Sequence, residues 1–261
     1  MHMQEGAAQG FPYEYELIDL AQRGLTPDSL PQLLDDAQAR GLSGLNITHP
    51  CKQLVIPYLD ELSDDARAIG AVNTVVLKNG RRIGHNTDWW GFAESFRRGL
   101  PDADLSAALQ IGAGGAGVAT AYASLSLGVK KLAVFDQQIE RAEQLASAMS
   151  ALFPQASIDV AGDLAVEMSK ASGLIHATPM GMVKYPGTPL PPELLEPRHW
   201  VAEIVYFPLE TELLRQAKSR GCRVLNGGGM AVYQAVGAFS LFTGREPDAA
   251  RMTQHFAKMT A

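Results

Sequence analysis

Residues 45–54 read LNITHPCKQL, so a hydroxyl (Thr48), an imidazole (His49), a thiol (Cys51) and an amine (Lys52) fall within five residues of an apolar run. Three chemistries fit those types at that spacing: a metal site on His49 and Cys51, an acid/base lysine at Lys52, or a plain strand-to-helix turn. Zinc takes three or four ligands, and two residues without a partnering cluster do not supply them. No metal is expected, and Cys51 reads as a small apolar filler. Wherever hydride leaves an alcohol a base within hydrogen-bond reach is needed, because the hydroxyl proton must depart too, and a lysine is one side chain that can serve. Free lysine, with a pKa of about 10.4, is a poor base near neutrality unless it is desolvated beside a cleft.

A second stretch, residues 110–119, reads QIGAGGAGVA and places Gly112, Gly114 and Gly117 in G-x-G-x-x-G between an apolar strand and a helix. That is the context of the dinucleotide fingerprint: the first glycine turns tightly, the second admits a pyrophosphate, and the third lets helix and strand approach. The helix N-terminus then offers oriented N–H groups to the phosphates. Asp136 ends the next strand, 24 residues after Gly112, close to the roughly 20-residue spacing of a ribose-binding carboxylate. A carboxylate there accepts from a 2′-hydroxyl and repels a 2′-phosphate, so NAD is preferred. Arg141 could reach a 2′-phosphate, which leaves NADP open. The plainer alternative is a tightly packed glycine turn with Asp136 capping a helix.

The elements that must hold these residues follow from pattern. Residues 13–20 (YEYELIDL) alternate as a strand does, and residues 27–40 carry Leu30, Leu33, Leu34 and Ala37 at helical spacing before Gly41. Residues 44–47 form a short strand and residues 52–59 a helix after Pro50. Two extended runs then meet at Asn79-Gly80, the strongest signal for a type I′ hairpin, with Asp88 just past the second run and a helix over residues 89–100. Pro101 marks a domain boundary. From residue 107 the apolar runs ALQI, KLAVF, ASIDV, GLIHA, WVAEIV and CRVL alternate with helices, which predicts a parallel sheet covered on both faces. Two helices close the chain, over residues 230–243 and 248–259.

Together these stretches resemble the shikimate/quinate dehydrogenases. The resemblance rests on LNITHPCKQ, GAVNT (70–74), GHNTDWWGF (84–92), GAGGAG, ATPMGM (177–182) and GGGMAVYQAVGAF (227–239), in family order from about residue 40 onward. It implies an α/β enzyme with an N-terminal α/β substrate domain and a Rossmann-type doubly wound nucleotide-binding domain. The substrate domain is expected over residues 1–100, completed by residues 230–261, and the nucleotide domain over 101–229, with the reaction in the cleft between them. The implied activity is hydride transfer between a nicotinamide and a ring hydroxyl of a cyclohexane or cyclohexene carboxylate: shikimate with 3-dehydroshikimate, quinate with 3-dehydroquinate, or both.

Residue by residue, the resemblance implies Lys52 as acid/base and Asp88 as its partner, with Thr48, Asn73, Gln234 and Tyr206 contacting substrate. It implies cofactor contacts at Gly112, Ala113, Gly114, Gly115, Ala116, Gly117, Asp136, Thr178, Val205, Gly227 and Met230. Asp88 could equally cap a helix, and Thr48 and Asn73 could serve turns. Gln234 on an apolar helix needs a polar partner, and substrate would be one. His85 and His176 read as packing or surface residues. Relatives usually begin with a strand and a Ser-x-Ser/Thr-Pro segment that holds the substrate carboxylate; this sequence opens at the following helix, so either the true start lies upstream or this is a shortened homologue, and the sequence as written is expected to bind substrate weakly and show low activity. Glu203 stands where many relatives have aspartate, and Ala231 where many have leucine. THPCKQ, Asp136 and FSLFTGREPDAARM (239–252) resemble the NAD-linked quinate/shikimate branch, which shifts the implied role from aromatic biosynthesis towards quinate catabolism. The alternatives are a regulatory paralogue that binds NAD without turnover, and a dehydrogenase for an aminoshikimate-like acid.

Composition narrows the rest. The 261 residues are 46% hydrophobic and 19% charged, with net charge -6 from 22 basic and 28 acidic residues. No basic block is present to neutralise phosphates, so nucleic acid and anionic membrane are not expected partners. Cys51 and Cys222 are the only cysteines and lie far apart, which fits free thiols in a reducing cytoplasm. No apolar run reaches the ~20 residues of a bilayer span. A small ring acid is the expected partner, for a monomer or homodimer.

Overall fold

The computed structural model describes residues 1–260. In chain order its strands are β1 Gly44–Asn46, β2 Glu61–Leu62, β3 Thr74–Lys78, β4 Arg81–His85, β5 Ala108–Ile111, β6 Lys131–Phe135, β7 Ser157–Val160, β8 Gly173–His176, β9 Trp200–Glu203 and β10 Arg223–Leu225. Its helices are α1 His2–Ala8, α2 Leu30–Ala39, α3 Cys51–Leu54, α4 Asp64–Ile69, α5 Asp88–Gly99, α6 Gly115–Leu127, α7 Ile139–Leu152, α8 Leu164–Lys170, α9 Glu212–Ser219, α10 Gly228–Thr243 and α11 Ala249–Thr260. The chain divides into two compact units, Met1–Thr87 with Gln234–Lys258, and Asp88–Tyr233 with the last residues.

The first unit is built on a four-stranded sheet in the order β1-β3-β4-β2, in which β1, β3 and β4 run antiparallel and β2 lies parallel to β4. The β3–β4 turn takes positive φ at both central residues, Asn79 at 53° and Gly80 at 74°, as a type I′ turn requires. Leu34 of α2 packs with Ile47, Cys51, Val55, Val72 and Val75 to form its core. Cys51 is a buried free thiol whose pKa is raised by that burial.

Two sequence expectations need correction in this unit. Residues 13–20 do not form a strand. Tyr13 stacks on Phe239 at 5.4 Å and Leu20 packs against the core, while Leu17 is 78% exposed. Alternation without a buried face has no ladder to stabilise it. The helix expected over 52–59 is only the single turn α3, followed by a 3-10 turn at Ile56–Tyr58. Pro57 supplies no N–H and disfavours helix in the residue before it.

Helices α1 and α11 are joined by a buried carboxylate. Glu5, 1% exposed, accepts from Arg251 Nε and Nη2 at 2.7 Å each, from the Asp248 N–H at 2.9 Å and from Gln9 at 2.8 Å. The Arg251 guanidinium beside it holds the Glu5 carboxyl down to about 2.

The second unit carries a six-stranded, wholly parallel sheet in the order β10-β9-β8-β5-β6-β7. The chain starts at β5, runs outward to β7, then returns to β8 on the other side of β5. The connection therefore reverses between β5 and β8, the crevice where such sheets bind ligands. Strands β5, β8 and β9 are buried along their whole length, which is why they read as unbroken apolar runs. Phe92 and Phe96 join the core on one face, and Leu109, Leu174, Val201 and Leu213 form the core on the other. Cys222 is a second buried free thiol. The sequence reading groups α5 with the first domain, yet the division falls at residues 87 and 88. Helix α5 packs on α6 and places Phe92, Ala93 and Phe96 in the second unit's core, where the Phe96 ring meets the buried Trp200 edge-on at 5.0 Å. No helix among the described residues is long and apolar enough to cross a membrane.

Replacing Arg251 by alanine leaves the Glu5 carboxylate buried without its cation, and is expected to cost about 1–3 kcal/mol at neutral pH. A depressed carboxyl stabilises the fold above its unfolded value of 4.5, and that contribution is lost as pH falls towards about 2. Urea unfolding across this range should show wild type and Arg251→Ala converging in acid.

Candidate active site

The glycine loop leaves β5 at Gly112, whose φ of 108° lies in the left-handed region. A Cβ there would stand 2.6 Å from the Ala177 carbonyl oxygen and 2.8 Å from Thr178 Cγ2, so only glycine lets the β5 and β8 exits lie this close. A Cβ on Gly117 would collide with the Gly112 carbonyl, which makes the third glycine a packing requirement. At Gly114 and Gly115 an added Cβ would meet nothing within 4 Å. Helix α6 starts from Gly114 without a side-chain cap. Open space, backbone donors and a helix N-terminus together fit a pyrophosphate.

One residue that shapes this loop has no place in the sequence reading. Gln110 is fully buried in β5 and donates through Nε2 to the Gly112 carbonyl at 3.0 Å and the Gly117 carbonyl at 2.8 Å. Its Oε1 accepts from the Thr120 hydroxyl at 3.0 Å. The amide thus clamps both ends of the loop to α6. The available signal was a glutamine inside an otherwise apolar run, since a buried amide requires partners.

Asp136 lies at the C-terminal end of β6, half-buried. Its Oδ2 accepts from the Ala113 N–H at 2.8 Å and its Oδ1 from the Gln138 N–H at 2.9 Å. The carboxylate thus ties the glycine loop to the turn that precedes α7. Each carboxylate oxygen has a second lone pair beyond these bonds, suited to sugar hydroxyls. Arg141 is exposed in the first turn of α7.

At the ends of β8 and β9 lies a buried polar chain. His176 Nδ1 is 2.7 Å from Glu203 Oε1, and His176 Nε2 is 2.6 Å from Thr178 Oγ1. The Thr211 hydroxyl donates to Glu203 Oε2 and caps α9, and the Met180 N–H donates to Thr178 Oγ1 at 3.2 Å. His176 is therefore hydrogen-bonded on both ring nitrogens, and Glu203 is equally buried. Nearby, Val205 and Met230 are buried and Tyr206 is 52% exposed. The Gly227 N–H donates to the Val205 carbonyl at 3.1 Å, and a Cβ on Gly227 would strike the β9 exit.

In the first unit, Thr48, Lys52 and Asn73 are brought together by backbone bonds. The Ile47 N–H donates to the Asn73 carbonyl at 2.7 Å, the Cys51 N–H to the Thr48 carbonyl at 2.8 Å, and the Val72 N–H to the Lys52 carbonyl at 2.8 Å. Thr48 is exposed and Lys52 half-buried. The Asn73 side chain is 3% exposed; its Oδ1 accepts from the Thr87 N–H at 2.8 Å and its Nδ2 donates to Thr87 Oγ1 at 3.0 Å. Asn73 thus braces the β4 exit, the turn role weighed from sequence. Gln234 is half-buried in α10, assigned to the first unit, and Asp88 is 7% exposed in the first turn of α5, in the second unit. Among the described residues no three His, Cys, Asp or Glu side chains converge as a metal site.

Gln110→Leu keeps the volume but removes the amide's bonds to the Gly112 and Gly117 carbonyls and to the Thr120 hydroxyl, leaving the Thr120 bond to the Gly117 carbonyl at 3.1 Å. The expected result is a loss of about 1–3 kcal/mol in chemical denaturation, together with weaker dinucleotide binding by fluorescence titration.

Residues 1–75 match the family described as the shikimate dehydrogenase substrate binding domain, and residues 227–255 match the shikimate 5'-dehydrogenase C-terminal domain. A shikimate dehydrogenase (NADP(+)) of Pseudarthrobacter chlorophenolicus is 52% identical over all of this chain and 90% of its own length. A quinate/shikimate dehydrogenase (NAD(+)) of Corynebacterium efficiens is 47% identical over 99% of this chain and 92% of its own. Among solved structures, quinate dehydrogenase from Corynebacterium glutamicum in complex with NAD superimposes with a TM-score of 0.93 at 45% identity, covering 98% of this chain and 92% of that one. Similarity of this extent, running the length of the chain, shows that it belongs to the shikimate dehydrogenase family of oxidoreductases.

Proposed function

We propose that this chain catalyses reversible hydride transfer between a nicotinamide dinucleotide, with NAD preferred over NADP, and a ring hydroxyl of shikimate, quinate or both. The observation that carries the proposal is the Asp136 carboxylate bonded to the Ala113 N–H of the glycine loop. A carboxylate fixed there offers lone pairs to a 2′-hydroxyl and opposes the charge of a 2′-phosphate. The P. chlorophenolicus relative is named for NADP(+) and the C. efficiens one for NAD(+), so the preference rests on Asp136 against Arg141.

The nicotinamide, when bound, supplies the hydride acceptor in oxidation and the donor in reduction. Lys52 takes the hydroxyl proton in oxidation and returns it in reduction. Asp88 helps to hold the ring hydroxyls and works with Lys52 as a coupled unit. Thr48, Asn73, Gln234 and Tyr206 hold the ring's remaining oxygens, and the braced Asn73 side chain contributes by being rigid. Gly112, Ala113, Gly114, Gly115, Ala116 and Gly117 receive the pyrophosphate, while Thr178, Val205, Gly227 and Met230 border the nicotinamide half. An intact lysine and aspartate pair favours turnover over a purely regulatory role.

The test follows the absorbance of the reduced nicotinamide, with NAD and NADP each offered shikimate and quinate. Lys52→Ala should cut turnover by roughly 10²–10⁴-fold with dinucleotide affinity unchanged; unchanged turnover would remove Lys52 from the chemistry. Asp136→Ala should shift preference towards NADP by about tenfold, equal to ~1.4 kcal/mol.

A further inference from the structure

We infer that Glu203 and His176 set the polarity of the Thr178 hydroxyl, so that it meets a bound dinucleotide as a hydrogen-bond acceptor, with His176 the positioning residue for that contact. The inference rests on the proposal that Thr178 borders the dinucleotide. Its location supports this, because Thr178 Cγ2 abuts Gly112 of the glycine loop and β8 pairs with β5 through His176 and Ile111 at the switch point.

The direction of each bond follows from counting protons. Thr211 donates its hydroxyl to Glu203 Oε2, and a carboxylate can only accept. The other oxygen, Oε1, then accepts from His176 Nδ1–H at 2.7 Å. When the imidazole carries this one proton, Nε2 is left as an acceptor. The Thr178 hydroxyl, 2.6 Å from Nε2, must therefore donate to it. Oγ1 already receives the Met180 N–H, so what it presents outward is its remaining lone pair. That group suits a ribose hydroxyl or a carboxamide N–H and is wrong for a phosphate oxygen. The opposite arrangement, with a proton on Nε2, would turn the hydroxyl outward as a donor.

Two measurements on the full chain test this. Nitrogen NMR of the ¹⁵N-histidine-labelled protein should show His176 protonated on Nδ1 and bare on Nε2; a proton on Nε2 would overturn the inference. In NAD titrations by fluorescence, Thr178→Val and His176→Gln should each weaken binding about tenfold. If His176 acts through the hydroxyl, adding His176→Gln to Thr178→Val should cost no more than about twofold further. Equal losses in both backgrounds would mark His176 as structural only and sink the idea. Failure of the unsubstituted chain to bind either NAD or NADP would overturn the dinucleotide reading itself, a result separable from the tautomer found by NMR.

Discussion

The close approach of two strand ends at Gly112 governs the second unit. With the Ala177 carbonyl 2.6 Å from where a Cβ would stand, β5 and β8 cannot leave the sheet together unless that position carries no side chain. Everything that could meet a dinucleotide depends on this convergence. It brings Thr178 beside the loop, sets α6 to start at the sheet edge, and lets the Ala113 N–H reach Asp136 across the top of β6. Gln110 then secures the loop from beneath, replacing with one amide the ladder bonds that a departing strand end lacks.

In the first unit a different residue has the organising role. Asn73 bonds Ile47, just past β1, through its carbonyl, β4 through its N–H to the His85 carbonyl at 3.1 Å, and Thr87 through its side chain. Three segments are thus tied to one residue through its main-chain carbonyl, its main-chain N–H and its buried side-chain amide. The single-turn helix α3, too short to be stable alone, is held by its contact to Val72. Lys52 therefore sits on a short element whose position is set by the sheet, which suits a group whose placement matters more than its helix.

Much of this architecture was legible because it is local. Buried parallel strands leave contiguous apolar runs, the Asn79-Gly80 turn demands its own residue types, and the glycine loop and Asp136 each announce themselves within a few residues. What escaped were links across long separations. Gln110 looks like a blemish in ALQI until its bonds to Gly112, Gly117 and Thr120 are seen. His176 reads as packing because its carboxylate partner lies 27 residues later, on the neighbouring strand. The alternation in YEYELIDL misled for the opposite reason: period alone says nothing about whether a face is covered, and Tyr15 and Leu17 remain exposed.

The two cysteines fall one to each unit, Cys51 in the core of the first and Cys222 in that of the second. Burial raises the pKa of both thiols, and the thiolate is the reactive form. An aromatic disulfide reagent added to the folded chain can therefore attack only during excursions that uncover one sulfur or the other. Cleaving the modified chain between the two positions separates the rates. The protein thus carries a native clock in each half, reporting how often that half opens without any label being introduced.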